Sequence, residues 1–194
     1  RGSWNRSEGY DNGSVTLLAG LLKTADTLSQ DDAESWHIVA ALVENKPGVL
    51  FRVTNLFRAR SFNIESITVG STEQVDLSRM TITTKTDERT LDQLVKQLRK
   101  LIDVVEVRVL DSSKTVYREL ALIKMKAEEP TKRMQITTYA SVFRANILDI
   151  DKNTIMVEIT GTPDKIDAFK NLVSSFGIIH LARTGVSALP RGEY

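Results

Sequence analysis

The feature that most constrains the fold of this chain is an order of hydrophobic patterns that occurs twice along its length. Runs typical of strands and runs with apolar residues at helical spacing follow one another as β-α-β-β-α-β over residues 37–110 and again over residues 118–190. This is the split βαβ or ferredoxin-like order, in which two helices cover one face of a sheet. We therefore predict an α+β protein with two ferredoxin-like domains in tandem.

The first half contains every pattern that this order requires. Apolar or alternating runs predict strands at 37–43, 63–69, 77–84 and 103–110. Apolar residues at helical intervals predict two helices, the first with Val49, Leu50, Val53, Leu56 and Phe57, and the second with Leu91, Leu94, Val95, Leu98 and Leu101. One face of each helix is therefore expected to pack on the sheet.

The second half repeats the order without obvious identity to the first. Strands are predicted at 118–127, 146–150, 154–160 and 178–185. One helix is expected within residues 131–144, and Thr162-Pro163 is a typical cap and first residue for the other.

Two segments lie outside the repeat. Residues 111–117 are predicted to link the domains, and residues 1–36 to form a flexible or short-helical extension. Leucines at helical spacing within residues 14–30 indicate a short flanking helix or the remainder of an organelle targeting segment.

Charge and composition exclude several classes of function. The 26 Lys and Arg residues nearly balance 25 Asp and Glu, so nothing predicts nucleic acid or a membrane as partner. The chain has no cysteine, which excludes disulfides and thiolate metal sites and fits an intracellular protein. That location would be cytoplasmic in a prokaryote and plastid or mitochondrial in a eukaryote. We expect His37 and His180 to be structural, and no metal site.

Motifs for catalysis and for phosphate or RNA binding are missing from the sequence. It lacks G-x-G-x-x-G, the P-loop and G-x-S-x-G, and its acidic residues are scattered. An RNA-binding module of this topology needs aromatic residues on its central strands, and residues 37–43 and 77–84 contain none. We predict no catalytic residue on this chain.

The turn Asn45-Lys46-Pro47-Gly48, between the first strand and the first helix, is the most informative local feature. The first N–H groups of a helix have no intrahelical acceptor and favour an anion, and Gly48 allows close approach. The amides of Asn45 and Asn63 add donors and acceptors. The set suits a zwitterionic amino acid. The alternative, that Pro47-Gly48 only turns the chain, is equally consistent with the residue types.

Longer motifs carry a family resemblance over residues 36 to about 192. "LVENKPGVLFR", "FRARSFNIESITV", "LSRMTI" and "QLRKLIDV" resemble the ACT domain of the small subunit of acetohydroxyacid synthase, also called acetolactate synthase. "RELALIKM", "FRANILDI", "EITGTPDKIDAF" and "ARTGVSAL" resemble the same family's C-terminal domain.

The resemblance implies a non-catalytic regulatory subunit in branched-chain amino-acid biosynthesis. Its partner would be the large catalytic subunit, which carries thiamine diphosphate, Mg²⁺ and usually FAD, while this chain holds no cofactor. The small subunit raises the partner's activity and confers feedback inhibition by valine or another branched-chain amino acid. It is expected to be a homodimer through its ACT domains, with the effector at the seam. The implied effector contacts are Asn45, Gly48, Val49 and Leu50 from one chain and Asn63 and Ile64 from its partner.

One alternative stays open at this point, namely that the chain is a stand-alone amino-acid-sensing ACT regulator of another enzyme. The C-terminal motifs argue against this alternative, because they are typical of the small-subunit family.

Overall fold

The computed structural model describes residues 34–192. The predicted tandem of two ferredoxin-like β-α-β-β-α-β units is confirmed. The first unit consists of β1 (Ser35–Glu44), α1 (Val49–Ala59), β2 (Ser66–Ser71), β3 (Leu77–Thr86), α2 (Glu88–Leu98) and β4 (Val104–Leu110). The second consists of β5 (Thr115–Lys126), α3 (Pro130–Val142), β6 (Asn146–Ile150), β7 (Thr154–Gly161), α4 (Pro163–Val173) and β8 (Ile178–Arg183), followed by β9 (Ser187–Pro190).

The first sheet is antiparallel with the strand order β2-β3-β1-β4, so β2 and β4 are its edges. Helices α1 and α2 cover one face, because their apolar stripes pack on alternate residues of the strands. The core on this face consists of Val39, Ala41, Val43, Val49, Val53, Phe57, Met80, Ile82, Leu91, Leu94, Val95, Leu98 and Val107. Burying each larger side chain stabilises the fold by about 1.5–3 kcal/mol.

The second sheet follows the same plan with the order β6-β7-β5-β8. Its core lies under α3 and α4 and is built in the same way. The buried side chains are Ala121, Ile123, Met125, Ala127, Ile136, Ala140, Ile155, Val157, Ile159, Ile166, Phe169 and Val173. Each half therefore has its own hydrophobic core.

A strand that the sequence reading does not predict joins the two halves. β9 pairs with the start of β5, between residues 187–190 and 115–118. Its neighbour Val186 and its own Ala188 pack on the helix-free face of the first sheet, against Ile38, Ala40 and Leu110. The sequence indicates that the helix-free face is also covered, because β1 has apolar residues on both of its faces and such strands are buried on both sides.

The edges of several elements differ from the prediction. β2 begins at Ser66 rather than residue 63, because Asn63 and Ile64 belong to the connection from α1, and sheet pairing starts with Glu65 N–H donating to the Thr83 carbonyl at 2.9 Å. Ser35 and Trp36, predicted to lie in the N-terminal extension, belong to β1. Residues 115–117, predicted as linker, are the start of β5. The predicted structure of residues 1–33 lies outside the described residues.

Candidate functional site

The turn before α1 has the special backbone that its sequence indicates. Gly48 is the N-cap of α1 and adopts a left-handed conformation, with φ 87° and ψ −8°. A residue with a Cβ is strained there, so glycine is required by the backbone. Pro47, whose φ is fixed by its ring, precedes it and stiffens the turn. The pair therefore fixes the direction in which α1 leaves the end of β1.

The N-terminus of α1 is uncapped. Among residues 34–192 no side chain caps this helix by accepting a hydrogen bond from its first N–H groups, and its first turn contains no acidic residue. Helix α2 differs, because Asp87 accepts from Thr90 N–H at 2.8 Å and Glu88 lies in the first turn. Hydrogen bonds from the Thr90 hydroxyl and N–H lower the pKa of Asp87, which keeps that cap ionised. The positive end of α1 is left for an external anion.

An ion pair lies directly beside the turn. The Arg52 guanidinium donates to both carboxylate oxygens of Asp103, at 2.5 and 2.8 Å. A Cβ placed on Gly48 would lie 3.6 Å from Nη1 of Arg52. Sequence reasoning missed Arg52, although an arginine one helical turn after Gly48 is expected on the same side of α1 as the turn. The Nη1 group, which takes no part in the two bonds to Asp103, faces the uncapped helix end and can donate to an anion there.

Asn45 is tied to the neighbouring hairpin. Its backbone N–H donates to the Asp76 carbonyl at 2.7 Å, and its side-chain Nδ2 donates to the Val75 carbonyl at 3.3 Å. The sequence suggests that both the donor and the acceptor of this amide are available. In the structure one of the two N–H donors of Nδ2 is used within the chain, and Oδ1 is the group of this side chain that can accept from a ligand's ammonium.

Val49 and Leu50 contribute in different ways. The Val49 side chain is buried in the core, so only its backbone N–H lies at the turn, and that N–H already donates to the Lys46 carbonyl at 3.4 Å. The Leu50 side chain is 44% exposed and can form an apolar wall. Both residues lie in the first turn of α1, where N–H groups lack intrahelical acceptors.

Asn63 and Ile64 lie at the opposite end of α1 from Gly48. Helix α1 has 11 residues, which separates the two groups by roughly 16 Å at 1.5 Å per residue. The Asn63 carbonyl accepts from Thr84 Oγ1 at 2.7 Å, and Ile64 packs partly buried against the core. One chain thus brings Asn45, Gly48 and Leu50 together, and leaves Asn63 and Ile64 apart from them.

The histidines occupy different environments. His37 is nearly buried, and its Nε2 lies 3.0 Å from the Thr86 carbonyl oxygen and 2.9 Å from Ser35 Oγ. His180 lies exposed on the edge strand β8, beside Lys124 in register. Within residues 34–192 no group of three or more His, Asp or Glu side chains is placed to hold a metal ion. In the same range no helix is long and apolar enough to cross a membrane.

Two clefts lie where the halves of the chain meet. One, of about 690 Å³, is bordered by Thr68 and Arg79 of the first sheet and by Arg118 and residues 187–190. The other, of about 540 Å³, lies beside residues 65–67 and 183–185. Both are on the helix-free side of the first sheet.

Comparison with known proteins gives the same family for both halves. Residues 39–106 match the model of the AHAS small subunit-like ACT domain, and residues 118–192 match that of the small subunit of acetolactate synthase. A probable acetolactate synthase small subunit from Methanothermobacter thermautotrophicus is 51% identical over 157 residues, 81% of this chain and 94% of that protein. The acetolactate synthase small subunit of Mycolicibacterium smegmatis is 44% identical over 156 residues, 80% of this chain and 91% of its own length.

A solved structure agrees with the sequence comparisons. The crystal structure of the acetolactate synthase small subunit from Thermotoga maritima superposes with a TM-score of 0.77 at 41% identity. It covers 82% of this chain and 99% of the Thermotoga chain, so the likeness includes both domains. The chain therefore belongs to the family of acetolactate synthase small subunits.

Proposed function

We propose that this chain, a regulatory subunit by its family, activates the catalytic subunit of acetolactate synthase and makes it sensitive to a branched-chain amino acid, valine foremost. The observation that carries the effector site is the uncapped N-terminus of α1 at left-handed Gly48, with Arg52 beside it. The catalytic subunit supplies thiamine diphosphate, Mg²⁺ and FAD, and this chain supplies none of the reacting groups. The complex condenses pyruvate with pyruvate or 2-oxobutyrate.

The second half of the effector site comes from another copy of the chain. β2 is an edge of the first sheet, and an edge strand presents unpaired backbone groups. Two β2 strands that pair about a two-fold axis perpendicular to the sheet run antiparallel, so the start of one lies beside the end of the other. The start of β2 follows Asn63 and Ile64, whereas its end leads into the hairpin that contacts Asn45. Such pairing moves the partner's Asn63 toward Gly48.

The chemistry of a bound valine follows from these positions. Its carboxylate lies against the N–H groups of Gly48 and Leu50 and shares the Val49 N–H with the Lys46 carbonyl, at a place where charge-assisted hydrogen bonds and the helix dipole favour an anion. Its ammonium is bound by Asn45 Oδ1 and by the amide of the partner's Asn63. Its side chain packs between Leu50 and the partner's Ile64. Inhibition requires that this site bind valine more tightly in one arrangement of the complex than in another.

The first prediction concerns activity. The isolated chain is expected to form no acetolactate from pyruvate, and to raise the rate when added to its catalytic subunit. The reason is that the reacting groups belong to the partner. Acetolactate formation by the two proteins, separately and mixed, with and without valine, is the measurement. Turnover by the isolated chain, freed of contaminating synthase, contradicts the proposal.

The second prediction concerns assembly. The chain is expected to be at least a dimer through residues 37–110, and Val69→Arg on β2 is expected to weaken the dimer at least about tenfold, because like charges oppose each other across the seam. Val109→Arg on the other edge, β4, is the matched control, because Val69 and Val109 are 43% and 44% exposed. Sedimentation of each variant with valine present tests this. A monomeric parent, or equal effects of both substitutions, rules out the β2 seam.

A further inference from the structure

One short segment of the C-terminal domain contacts β2 closely. Gly185 follows β8, and a Cβ built on it would lie 2.6 Å from Thr68 Oγ1 and 3.2 Å from the carbonyl carbon and oxygen of Ile67. Gly185 is not among the glycines with positive φ, so its backbone does not require glycine. The missing side chain therefore serves the close approach of this segment to β2.

Further contacts fix the segment on β2. The Val186 N–H donates to Ser66 Oγ at 3.4 Å, and Ser66 Oγ also shares a 2.7 Å hydrogen bond with Thr83 Oγ1. The Val186 side chain is buried in the cluster on the helix-free face of the first sheet. The Thr68 hydroxyl is buried with no hydrogen-bond partner among the described residues. The Thr68 side chain therefore contacts the segment by steric fit and not through a hydrogen bond, while the backbone of β2 stays paired with β3.

The other end of the segment is bound firmly to the C-terminal domain. Arg183 donates from Nε to Glu119 at 2.6 Å and from Nη1 to Asp167 of α4 at 2.9 Å. Hydrogen bonds from Lys170 and Arg183 lower the pKa of Asp167, so this carboxylate stays ionised at neutral pH. The Thr184 N–H donates to the Leu120 carbonyl at 2.9 Å. A movement of β2 at residues 66–68 must therefore either move the C-terminal domain or break these contacts.

We propose that Gly185 is a positioning residue for the effector site, through which the C-terminal domain sets the affinity for the effector. The inference rests on the proposed function. Asn63 and Ile64 stand directly before β2, within four residues of the contact at Ser66–Thr68. They move with the strand, because Glu65 pairs with Thr83. By linkage, an effector that favours one position of β2 also changes the contact with Gly185.

The test is Gly185→Ala, which introduces the clash with Thr68. Because overpacking by one methyl displaces backbone, the dissociation constant for valine is expected to rise roughly tenfold. The valine concentration that half-inhibits the reconstituted synthase should rise in parallel. Gly70→Ala is the matched control, since it lies on the same strand and its added Cβ meets no atom of the described part of the chain within 4 Å. It is expected to bind valine as the parent does.

Thr68→Ala removes the hydroxyl that the new methyl would strike. The double variant Gly185→Ala/Thr68→Ala is therefore expected to recover most of the valine affinity. Ser66→Ala, which adds no atom and deletes the acceptor for Val186 N–H, should weaken valine binding by less. It provides the same test where Gly185→Ala does not fold.

The measurements are valine calorimetry and thermal unfolding of each variant, beside inhibition of the reconstituted complex. A Gly185→Ala chain with lower melting temperature and unchanged valine affinity means that the contact only stabilises the fold, and the inference is then wrong. A parent chain that binds neither valine, leucine nor isoleucine instead overturns the proposed effector function, and this inference with it. Binding of an amino acid by the parent chain therefore distinguishes failure of this inference from failure of the proposed function.

Discussion

Gly48→Asp is expected to lower the affinity for valine at least tenfold while the chain remains folded. The new carboxylate would occupy the place proposed for the effector's carboxylate, at the uncapped start of α1. Each charged hydrogen bond that valine loses costs about 1.5–3 kcal/mol, and 1.4 kcal/mol corresponds to a factor of ten. Repulsion between like charges acts in the same direction. The expected loss is therefore one of valine affinity and not of folding.

The fold is expected to survive this substitution for two reasons. An added Cβ at Gly48 meets only Nη1 of Arg52, at 3.6 Å, which is an ordinary contact. The new carboxylate gains that guanidinium and the helix dipole, the latter worth about 0.3–1 kcal/mol at an exposed end. Against this stands the left-handed backbone, φ 87°, which costs an L-residue roughly 1–2 kcal/mol and aspartate less than most.

The C-terminal domain offers a matched control. Gly177 has φ 86°, and a Cβ there would lie 3.5 Å from the side chain of Lys126. Gly177→Asp therefore places the same residue at a similar positive φ beside a cation, far from α1, although ψ is 94° at Gly177 and −8° at Gly48. It is expected to lose at least as much stability, because this ψ lies outside the left-handed region that aspartate tolerates, with unchanged affinity for valine. Asn63→Ala should weaken valine binding in the same direction as Gly48→Asp, by less.

Valine titration by calorimetry and activation assays of the reconstituted complex form the measurement. Activation should persist in Gly48→Asp, because in the proposed function the catalytic subunit is activated without the effector. A folded Gly48→Asp chain that binds valine as well as the parent means that Pro47-Gly48 only turns the chain and that the site lies elsewhere.

The sequence predicts most of this fold because its pattern is local. Strands β1 and β3 and the helices are predicted from the apolar spacing within runs of about ten residues. The residues that set this spacing are neighbours in sequence. Strand β9 was missed for the opposite reason. It is four residues long, and it exists because it covers Ile38 and Ala40, which lie about 150 residues earlier in the chain.

The candidate site likewise combines features that the sequence predicts locally with features that depend on distant residues. The left-handed Gly48 and the uncapped helix start were predictable, since a Pro-Gly pair between a strand and a helix restricts the backbone directly. The use of the Asn45 amide donor by the Val75 carbonyl was not, because that contact joins residues 30 apart in sequence. The pairing of Arg52 with Asp103 spans 51 residues and no local pattern marks it.

Arg52→Met is expected to be the most destabilising change at the turn, costing about 2–3 kcal/mol. The side chain of Asp103 is only 9% exposed, so removing Arg52 leaves a buried carboxylate without its two hydrogen bonds. Breaking a buried ion pair from one side costs about 3–5 kcal/mol, and solvent screening reduces this because Arg52 is 45% exposed. For a chain of this size the melting temperature should fall by roughly 5–10 °C.

Lys96→Met is the matched control for this prediction, because the pair of Lys96 with Asp92 is 64% and 60% exposed and should contribute less than about 0.5 kcal/mol. Thermal and urea unfolding of both variants compare the two pairs. The double variant Arg52→Met/Asp103→Leu is expected to recover most of the loss, since it removes the unpaired charge. Equal effects of Arg52→Met and Lys96→Met would mean that water already solvates Asp103.

The same variant separates two roles of Arg52. Its Nη1, which takes no part in the two hydrogen bonds to Asp103, lies beside Gly48 and can donate to the carboxylate proposed to bind there. Arg52→Met is therefore expected to weaken valine binding as well as the fold, whereas the double variant should recover stability without recovering affinity. Recovery of both would show that Arg52 acts on the effector only by holding the turn in place through Asp103.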